Sequence, residues 1–355
     1  MKLFNDIYKS RRILITGHTG FKGSWLTLWL KRLGADITGI SLPATTYPNH
    51  WNLLDLSINE YIQDIRDSEA VNKIIKETQP EIIFHLAAQP LVRFSYAEPL
   101  LTWETNVMGT ANILNASREI DNLKAIVAIT TDKCYENKEW TWGYRENDQL
   151  GGYDPYSASK AATELLASSY RNSYYSNNRG PLLATARAGN VIGGGDWSQD
   201  RLIPDLIRAV AEKQTLIVRS PSATRPWQHV LESLAGYLML GERLLNDEQN
   251  YAEAWNFGPD LSSNRSVYDV LEETNTHWNE FKWKVTQTPQ PHEANLLYLD
   301  STKAKSILGW NPVWGFQETI EKTASWYRKY LESGAVESDT QIEHYSLSLA
   351  KKLNS

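Results

Sequence analysis

Two short segments of the chain carry side chains suited to moving protons and a hydride at one small molecule. Thr131, Asp132 and Lys133 follow an apolar run, and Tyr156 and Lys160 stand one helical turn apart in a later segment. An ammonium beside a phenol favours the phenolate and lowers its pKa. The phenolate can then take a proton from an alcohol while hydride leaves the same carbon. The residue set therefore predicts an enzyme that oxidises an alcohol carbon.

The composition is that of a globular protein without a nucleic-acid surface. The 355 residues are 22% charged and 41% hydrophobic, and the formal net charge is -6. That charge argues against nucleic-acid binding, although a few local arginines can still hold a diphosphate. The single cysteine, Cys134, excludes an internal disulfide framework. The seven histidines have no ligand-like spacing, so no metal site is predicted.

No stretch of the sequence has the length and apolarity of a signal peptide or a membrane helix. The first apolar run, residues 13–15, leads directly into a glycine loop. We therefore predict a cytoplasmic protein that does not associate with membranes.

Short apolar runs alternate with helical patterns along the first half of the chain. Helical periodicity spans residues 68–78 and 105–118, between runs of strand length. This alternation predicts an α/β protein with a Rossmann-type, doubly wound parallel sheet whose ligand crevice lies at the carboxyl ends of the strands. The predicted strands are 12–16, 37–41, 81–85, 125–129 and 182–186.

The pattern changes after Asn190, where a glycine cluster is followed by segments rich in arginine, proline and tryptophan. We predict a dinucleotide-binding domain over 1–190 and a smaller, partly interleaved α/β substrate lobe over 191–332. A helix and a strand within 231–258 are expected to return to the first domain. The remaining residues, 333–355, are polar and weakly patterned and are predicted to form a tail.

A glycine-rich loop follows the first predicted strand and opens a helix. Glycines at positions 17, 20 and 23 leave room for a pyrophosphate to approach the backbone, and the helix N-terminus supplies N–H groups and a positive dipole. A plain tight turn would explain the spacing alone, but the preceding strand and following helix favour dinucleotide binding. The loop residues predicted to hold the cofactor are Gly17, His18, Gly20, Phe21, Lys22 and Gly23.

The predicted cofactor is NAD. The second strand ends near Ser41 without the acidic residue that usually holds the adenosine ribose, and no arginine replaces it to hold an NADP phosphate. We therefore expect weak retention of NAD. Asp64 could accept from the adenine amino group, or it could neighbour a helix cap. The other residues predicted along the cofactor are Ile65, Leu86, Ala87, Ala88 and Asn106, together with Tyr156 and Lys160.

These features together resemble the extended short-chain dehydrogenase/reductase family. An acidic residue after Thr131 is typical of its nucleotide-sugar 4,6-dehydratase branch, which usually has Thr-Asp-Glu where this chain has Thr-Asp-Lys. Lysine at this point resembles the members of the branch that act on CDP-glucose. The other similar segments are 134–137, 143–146, 188–197, 225–230 and 255–259.

The resemblance implies the conversion of CDP-D-glucose to CDP-4-keto-6-deoxy-D-glucose, a step in deoxysugar biosynthesis of the O-antigen type. Tyr156 would take the 4-hydroxyl proton, Thr131 would donate to the 4-oxygen, and Asp132 would protonate the C6 oxygen as water leaves. Glutamate is the C5 base in the branch. Lys133 could replace it only in its neutral form, and otherwise it would stabilise the enolate or shape a water relay. The sequence leaves these roles open.

A CDP-hexose substrate requires cations for its diphosphate, and arginine binds such groups best. Three arginines follow the glycine cluster, and one lies in the segment Arg-Pro-Trp. No residue can be named for the cytosine base. The residues predicted to contact the substrate are Gln89, Asn190, Val191, Trp197, Arg201, Arg219, Arg225, Trp227 and His292.

Two other classes of function remain open at this point. One is an epimerase, reductase or dehydratase of the same fold that acts on a dTDP-, UDP- or GDP-linked sugar. The other is a non-catalytic protein that only senses the dinucleotide, although such a protein would not need both Tyr156 and Lys160. The resemblance also implies a homodimer, formed through helices near 105–118 and 156–175.

Overall fold

The structure is a computed structural model that describes residues 3–176, 179–278, 281–286 and 296–353. A parallel sheet with helices on both faces forms its centre, in the spatial order β3-β2-β1-β4-β5-β6-β11. The predicted Rossmann-type fold is therefore confirmed. The strands of this sheet are β1 (Arg12–Thr16), β2 (Asp36–Ser41), β3 (Asn59–Ile62), β4 (Ile82–His85), β5 (Ala125–Ile129), β6 (Leu182–Ala188) and β11 (Ala254–Phe257).

The helices cover both faces of the sheet and bury separate apolar clusters against it. Strands β4, β5 and β6 are wholly buried, which explains why they read as continuous apolar runs. The α-helices are α1 (Phe21–Arg32), α2 (His50–Leu54), α3 (Ser68–Thr78), α4 (Val92–Ala97), α5 (Pro99–Trp103), α6 (Gly109–Ser117), α7 (Pro155–Ser173), α8 (Leu202–Ala211), α9 (Val230–Leu245), α10 (Val267–His277), α11 (Phe316–Ser333) and α12 (Ser338–Leu353). In the part of the chain that the structure describes, no helix is long and apolar enough to cross a bilayer.

The residues after β6 build a smaller set of strand pairs beside the main sheet. In this part of the chain, β7 pairs with β10, β8 with β13 and β9 with β12. Strand β11 pairs with β6, so the chain returns from these elements to the edge of the main sheet. The small strands are β7 (Val191–Ile192), β8 (Thr215–Val218), β9 (Thr224–Pro226), β10 (Gln228–His229), β12 (Asn264–Ser266) and β13 (Lys282–Val285).

The strand order reverses between β1 and β4, which sit side by side although β2 and β3 intervene in the chain. Connections from these two strands leave in opposite directions, so a crevice opens at their carboxyl ends. The glycine loop after β1 and the small residues after β4 lie at this crevice. The fold therefore places the two cofactor segments predicted from the sequence next to each other.

The last helix corrects the expectation of a polar tail at 333–355. Helix α12 buries Ile342, Tyr345 and Leu349, and the Tyr345 ring packs against Trp29 of α1 with centroids 5.5 Å apart. Its apolar residues are few and separated by serine, lysine and glutamate, which weakened the helical pattern in the sequence. Packing against α1, rather than periodicity, accounts for this helix.

A buried carboxylate on α9 fastens the C-terminal part of the chain to the sheet. Glu232 accepts hydrogen bonds from the backbone nitrogens of Val313 and Trp314 at 2.9 and 2.7 Å and from the Tyr345 hydroxyl at 2.7 Å. Burial raises the pKa of Glu232 to about 7, and these three donors oppose the rise. The folded protein therefore binds the Glu232 proton more tightly than the unfolded chain does.

We expect Glu232→Gln to change how stability depends on pH. Because the native pKa is raised, the contribution of Glu232 is fully present below about pH 4 and is lost as pH rises through about 7. Wild type should therefore lose roughly 2–3 kcal/mol of unfolding free energy between about pH 5 and about pH 8 that the Glu232→Gln variant does not lose. Urea denaturation of both proteins at the two pH values measures this difference.

The matched control is Glu321→Gln on α11, whose side chain is 51% exposed. Its stability relative to wild type should stay constant over the same range. If the stability difference between Glu232→Gln and wild type were also independent of pH, the raised pKa of the buried Glu232 carboxyl would be contradicted.

Candidate active site

A cavity of about 1350 Å³ opens at the carboxyl ends of the main strands. Its walls come from the loops after β1, β2, β4 and β5, from the start of α7, and from the segments after β6 and β8. Both predicted reacting segments line it, since Thr131, Asp132, Lys133, Tyr156 and Lys160 all contribute to its wall. The volume is sufficient for a dinucleotide and a second nucleotide ligand.

The loop between β1 and α1 can approach a phosphate closely because its tightest contacts are made by glycine. Gly17 has φ of +78°, a left-handed conformation that glycine adopts without strain. A Cβ on Gly23 would lie 2.0 Å from the Gly17 carbonyl oxygen. Helix α1 begins directly after this turn and offers free backbone N–H groups. The loop residues that line the cavity are Gly17, Gly20, Phe21, Lys22 and Gly23.

His18 lies behind this loop, which differs from the predicted phosphate or ribose contact. Its side chain is fully buried, Nε2 lies 2.8 Å from Glu60 Oε2, and the ring packs edge-on against Trp51. A Cβ on Gly39 would lie 2.4 Å from His18 Nδ1, so glycine in β2 makes room for the ring. Burial lowers the pKa of His18, and Glu60 opposes this change. His18 thus braces the loop from the sheet side.

The end of the cavity near β2 and β3 has few charges that could hold a ribose. Strand β2 ends at Ser41, whose hydroxyl lies 2.7 Å from the Thr19 hydroxyl. Asp64 and Ile65 follow β3 and line the cavity. The Asp64 carboxylate accepts from Arg66 at 2.7 Å, and this hydrogen bond holds its pKa below the usual range. The carboxylate therefore already has a cationic partner.

Leu86, Ala87 and Ala88 line the cavity after β4, where a Cβ on Gly17 would lie 2.7 Å from the Ala87 nitrogen. The two loops can approach this closely only because residue 17 is glycine. The small side chains of Ala87 and Ala88 leave space for a ligand above the ends of the strands.

Asn106 and Gln89 hold the wall together but do not line the cavity. Asn106 lies in a π-turn, Glu104–Met108, between α5 and α6. Its side chain accepts from the Gln89 nitrogen at 2.8 Å and donates to the Gln89 oxygen at 3.1 Å and the Ser159 hydroxyl at 2.9 Å. The Gln89 amide in turn donates to Thr102 at 2.9 Å. These buried bonds replace the ligand contacts predicted for both residues, because the backbone groups need partners.

Helix α7 presents Tyr156 and Lys160 to the cavity. The helix starts at Pro155, and the Asp154 side chain caps it by accepting from the Ser157 nitrogen at 2.9 Å. Lys160 is 5% exposed and donates to the Ile129 carbonyl at the end of β5 at 3.3 Å. The cap and this bond fix the first turn of α7 against the sheet.

The ionisation of Tyr156 differs from the expectation that Lys160 lowers its pKa. Burial raises the pKa of Tyr156 to about 12, and a hydrogen bond with Thr131 and the charge of Arg201 oppose the rise. Burial lowers the pKa of Lys160 to about 8, and repulsion by Lys22 adds to this change. Arg201 is therefore the cation that favours the phenolate here, since the Lys160 ammonium is turned toward the Ile129 carbonyl.

The segment after β5 presents an acid and an amine beside the tyrosine. The Thr131 hydroxyl donates to Asp132 Oδ1 at 3.0 Å, and Asp132 is 2% exposed. A Cβ on Gly189 would lie 3.0 Å from Asp132 Oδ2, so the carboxyl faces the end of β6. Lys133 is half-buried in the cavity wall. Among the residues that the structure describes, no carboxylate forms an ion pair with it.

A buried ion pair supports this segment from below. Arg187 of β6 donates to Glu164 of α7 at 2.8 Å, and the two side chains are 4% and 3% exposed. Glu164 also accepts from the hydroxyls of Thr130 and Thr185. The second arginine nitrogen donates to the Tyr135 hydroxyl at 2.6 Å. The network therefore joins α7, β6 and both ends of the segment that carries Asp132 and Lys133.

Most of the predicted substrate residues line the cavity, but several of them also have partners within the protein. Trp197 and Trp227 are mainly core side chains with an edge at the cavity: Trp197 packs against Trp326, and Trp227 donates to the Arg265 carbonyl at 2.9 Å. Arg201 forms a 2.8 Å ion pair with Asp196. His292 lies outside the described residues. The predicted substrate residues that line the cavity are Asn190, Val191, Trp197, Arg201, Arg219, Arg225 and Trp227.

Arg93 and Asp200 are among the charged residues at the cavity that were not predicted as site residues. Arg93 lies in α4 and Asp200 in the loop before α8, and both line the wall. Neither belongs to a motif, and a single arginine in sequence resembles any surface charge. Only the fold brings them together with Arg219.

Similar proteins are known by sequence. A CDP-glucose 4,6-dehydratase of Salmonella typhimurium is 46% identical to this chain, over 96% of this chain and 97% of its own length. A dTDP-glucose 4,6-dehydratase of the same organism is 28% identical, over 89% and 92% of the two chains. The likeness is thus much stronger to the CDP-linked enzyme.

A solved structure supports the fold, and a family model identifies the family. The epimerase Mth375 of Methanothermobacter thermautotrophicus has a TM-score of 0.82 at 24% identity and covers 93% of this chain and 96% of its own, which supports the fold. The family model described as GDP-mannose 4,6 dehydratase matches residues 14–323. The resemblance inferred from the sequence is therefore confirmed, and the chain belongs to the GDP-mannose 4,6 dehydratase family.

Proposed function

We propose that this protein is an NAD-dependent lyase that converts CDP-D-glucose to CDP-4-keto-6-deoxy-D-glucose. The observation that carries the proposal is the meeting of Asp132 and Lys133 with Tyr156 and Lys160 in one cavity. An alcohol oxidation alone needs only the second pair. The acid and the amine supply groups for the removal of water from the neighbouring carbons.

The glycine cradle fits a dinucleotide because its closest contacts leave no room for side chains. A Cβ at Gly17 would meet the Ala87 backbone and one at Gly23 would meet the Gly17 carbonyl, so only glycine allows this tight turn, and the first-turn N–H groups of α1 follow it. NAD, when bound, would supply the hydride acceptor for C4 and, once reduced, the hydride donor for C6. Lys160 would hold the nicotinamide ribose, and Lys22 would meet the phosphates. The lack of a carboxylate after β2 supports weak retention of the cofactor.

In the oxidation step, Tyr156 accepts the proton of the sugar 4-hydroxyl. Its pKa of about 12 keeps the phenol protonated when no ligand is bound. Tyr156 accepts this proton only as the phenolate, so its own proton must first pass to solvent, and Arg201 and the Thr131 hydroxyl favour that form. We also assign Thr131 as the donor to the 4-oxygen, a role in which its hydroxyl would leave Asp132 Oδ1.

In the elimination step, the new 4-ketone makes the C5 proton acidic. Asp132 donates a proton to the C6 oxygen, so that this oxygen leaves as water. Lys133 acts on the C5 side, either as the direct acceptor of the C5 proton or as the cation that stabilises the enolate while water accepts it. The position of Lys133 next to Asp132 on the same short turn, Asp132–Cys134, supports this assignment.

Several features support the cellular setting of this proposal. The relative in Salmonella typhimurium carries the name CDP-glucose 4,6-dehydratase, which supports a CDP-linked hexose. The product class supports a role in deoxysugar and lipopolysaccharide biosynthesis. A reduced, buried Cys134 is compatible with the cytoplasm. We also propose a homodimer, since Leu100, Met108 and Leu165 are exposed on the helices α5 to α7.

A panel of nucleotide sugars tests the substrate. Purified protein with added NAD should form an alkali-absorbing 4-keto product from CDP-glucose, and it should do so slowly or not at all with dTDP-, UDP- and GDP-hexoses. Omission of NAD should lower the rate because retention is weak. Turnover of dTDP-glucose but not CDP-glucose would refute the nucleotide assignment, and a 4-epimer without water loss would indicate an epimerase.

We expect Asp132→Asn to separate oxidation from dehydration. An amide at position 132 cannot donate a proton to the C6 oxygen. Product formation should therefore fall by about 10²- to 10⁴-fold while reduction of NAD continues. Rapid mixing with CDP-glucose, followed by reduced-nicotinamide absorbance and product analysis, measures both steps. Asp121→Asn, at an exposed position before β5, is the control. Product formation at the wild-type rate in Asp132→Asn would exclude this role.

Two substitutions at Lys133 separate its possible roles. Lys133→Met should slow C5 proton loss by about 10²- to 10⁴-fold, as followed by deuterium at C5 of product formed in D₂O. Lys133→Arg keeps the positive charge but cannot accept a proton. A rate near wild type in the arginine variant assigns the electrostatic role, and a loss equal to that of methionine assigns the base. Unchanged exchange in Lys133→Met would remove Lys133 from the mechanism.

A further inference from the structure

One carboxylate oxygen joins arginines from opposite walls of the cavity. Asp200 Oδ1 accepts from Arg219 Nη1 at 3.1 Å, and Arg93 Nη1 lies 3.3 Å from the same oxygen. Arg219 directly follows β8, among the elements after β6. Arg93 belongs to α4, which packs on α7 of the Rossmann part. The three side chains thus bridge the cavity between its two halves.

These groups are placed where a ligand can reach them. The side chains of Arg93, Arg219 and Asp200 are 34%, 23% and 46% exposed, and all three line the cavity. The loop thus holds one carboxylate between two guanidinium groups at the cavity wall.

A diphosphate matches this arrangement better than the carboxylate does. Guanidinium groups bind phosphate oxygens in pairs, and such bonds are about twice as strong as those between neutral partners. A diphosphate carries its charge on two linked groups, so it can meet one arginine with each. Asp200 offers one oxygen to both.

We propose that Arg93 and Arg219 together grip the diphosphate of the nucleotide sugar, and that this diphosphate displaces Asp200 from between them. The inference rests on the function proposed above and adds Arg93 to its substrate site. Helix α4 packs on α7, which carries Tyr156, so a grip by Arg93 sets the position of the sugar relative to the tyrosine. Asp200 holds both arginines at the cavity wall.

Binding of nucleotide fragments tests the grip. Calorimetry with CDP, cytidine and NAD should show that Arg93→Gln weakens CDP binding about 10- to 100-fold, the effect of losing one charged hydrogen-bond partner. Cytidine and NAD binding should change less than about twofold. Arg93→Lys should recover part of the affinity. Asp200→Asn should tighten CDP binding, because no carboxylate competes with the diphosphate.

The matched control is Arg32→Gln, since Arg32 is 33% exposed and also binds carboxylates, but on the outer surface of α1. Unchanged CDP binding in Arg93→Gln overturns the proposal, as does an equal loss for CDP, cytidine and NAD. Weaker CDP binding in Asp200→Asn overturns the displacement.

Binding of the nucleoside diphosphates UDP, dTDP and GDP separates this inference from the proposed substrate. If wild type binds one of them in place of CDP, the CDP assignment fails. In that case Arg93→Gln must still weaken the binding of that nucleoside diphosphate and leave the binding of its nucleoside unchanged. If wild type binds no nucleoside diphosphate, both proposals fall.

Discussion

The buried pair of Glu164 and Arg187 is the constraint on which the reacting groups depend. It joins the helix that carries Tyr156 to strand β6, and its hydrogen bonds reach residues on both sides of Asp132 and Lys133. Two charges this deeply buried need hydrogen-bond partners, and both Glu164 oxygens and both terminal nitrogens of Arg187 have them. Loss of either partner leaves an uncompensated charge, at a cost of about 3–5 kcal/mol. The network thus fixes the position of Asp132 relative to Tyr156, at the cost of burying two charges.

A second theme is the concentration of positive charge above that network. Lys22, Lys160 and Arg201 stand close enough to affect one another, and the pKa values of both lysines fall to about 8. Their repulsion and desolvation are unfavourable without a ligand. Phosphate groups of a cofactor and a substrate carry the opposite charge and relieve both effects. The burial and mutual repulsion of these cations therefore favour anionic ligands at this site.

Much of the fold was predictable because it depends on local pattern. Strands β4, β5 and β6 are wholly buried, and α3 has a clear helical face, so these elements were found in the sequence. Strand β3 was not among the predicted strands, because Asn59 and Glu60 interrupt its apolar pattern. Helix α12 was missed because its contacts are with α1, far away in the chain. The reactive pair could be named from spacing, but the orientation of Lys160 could not, since burial and the Ile129 carbonyl decide it. Arg93 had no signal at all until the fold placed it opposite Arg219.

Helix α12 also bears on how the chain is made. It covers Trp29 on α1, and Ser338 at its start lies 2.7 Å from His50, whose other ring nitrogen lies 2.7 Å from Ser24 in the first turn of α1. Helix α1 is thus completed by a helix that lies far later in the chain. Domains usually fold in order from the N-terminus during synthesis. Here the part of the apolar face of α1 that holds Trp29 stays uncovered until α12 has been synthesised.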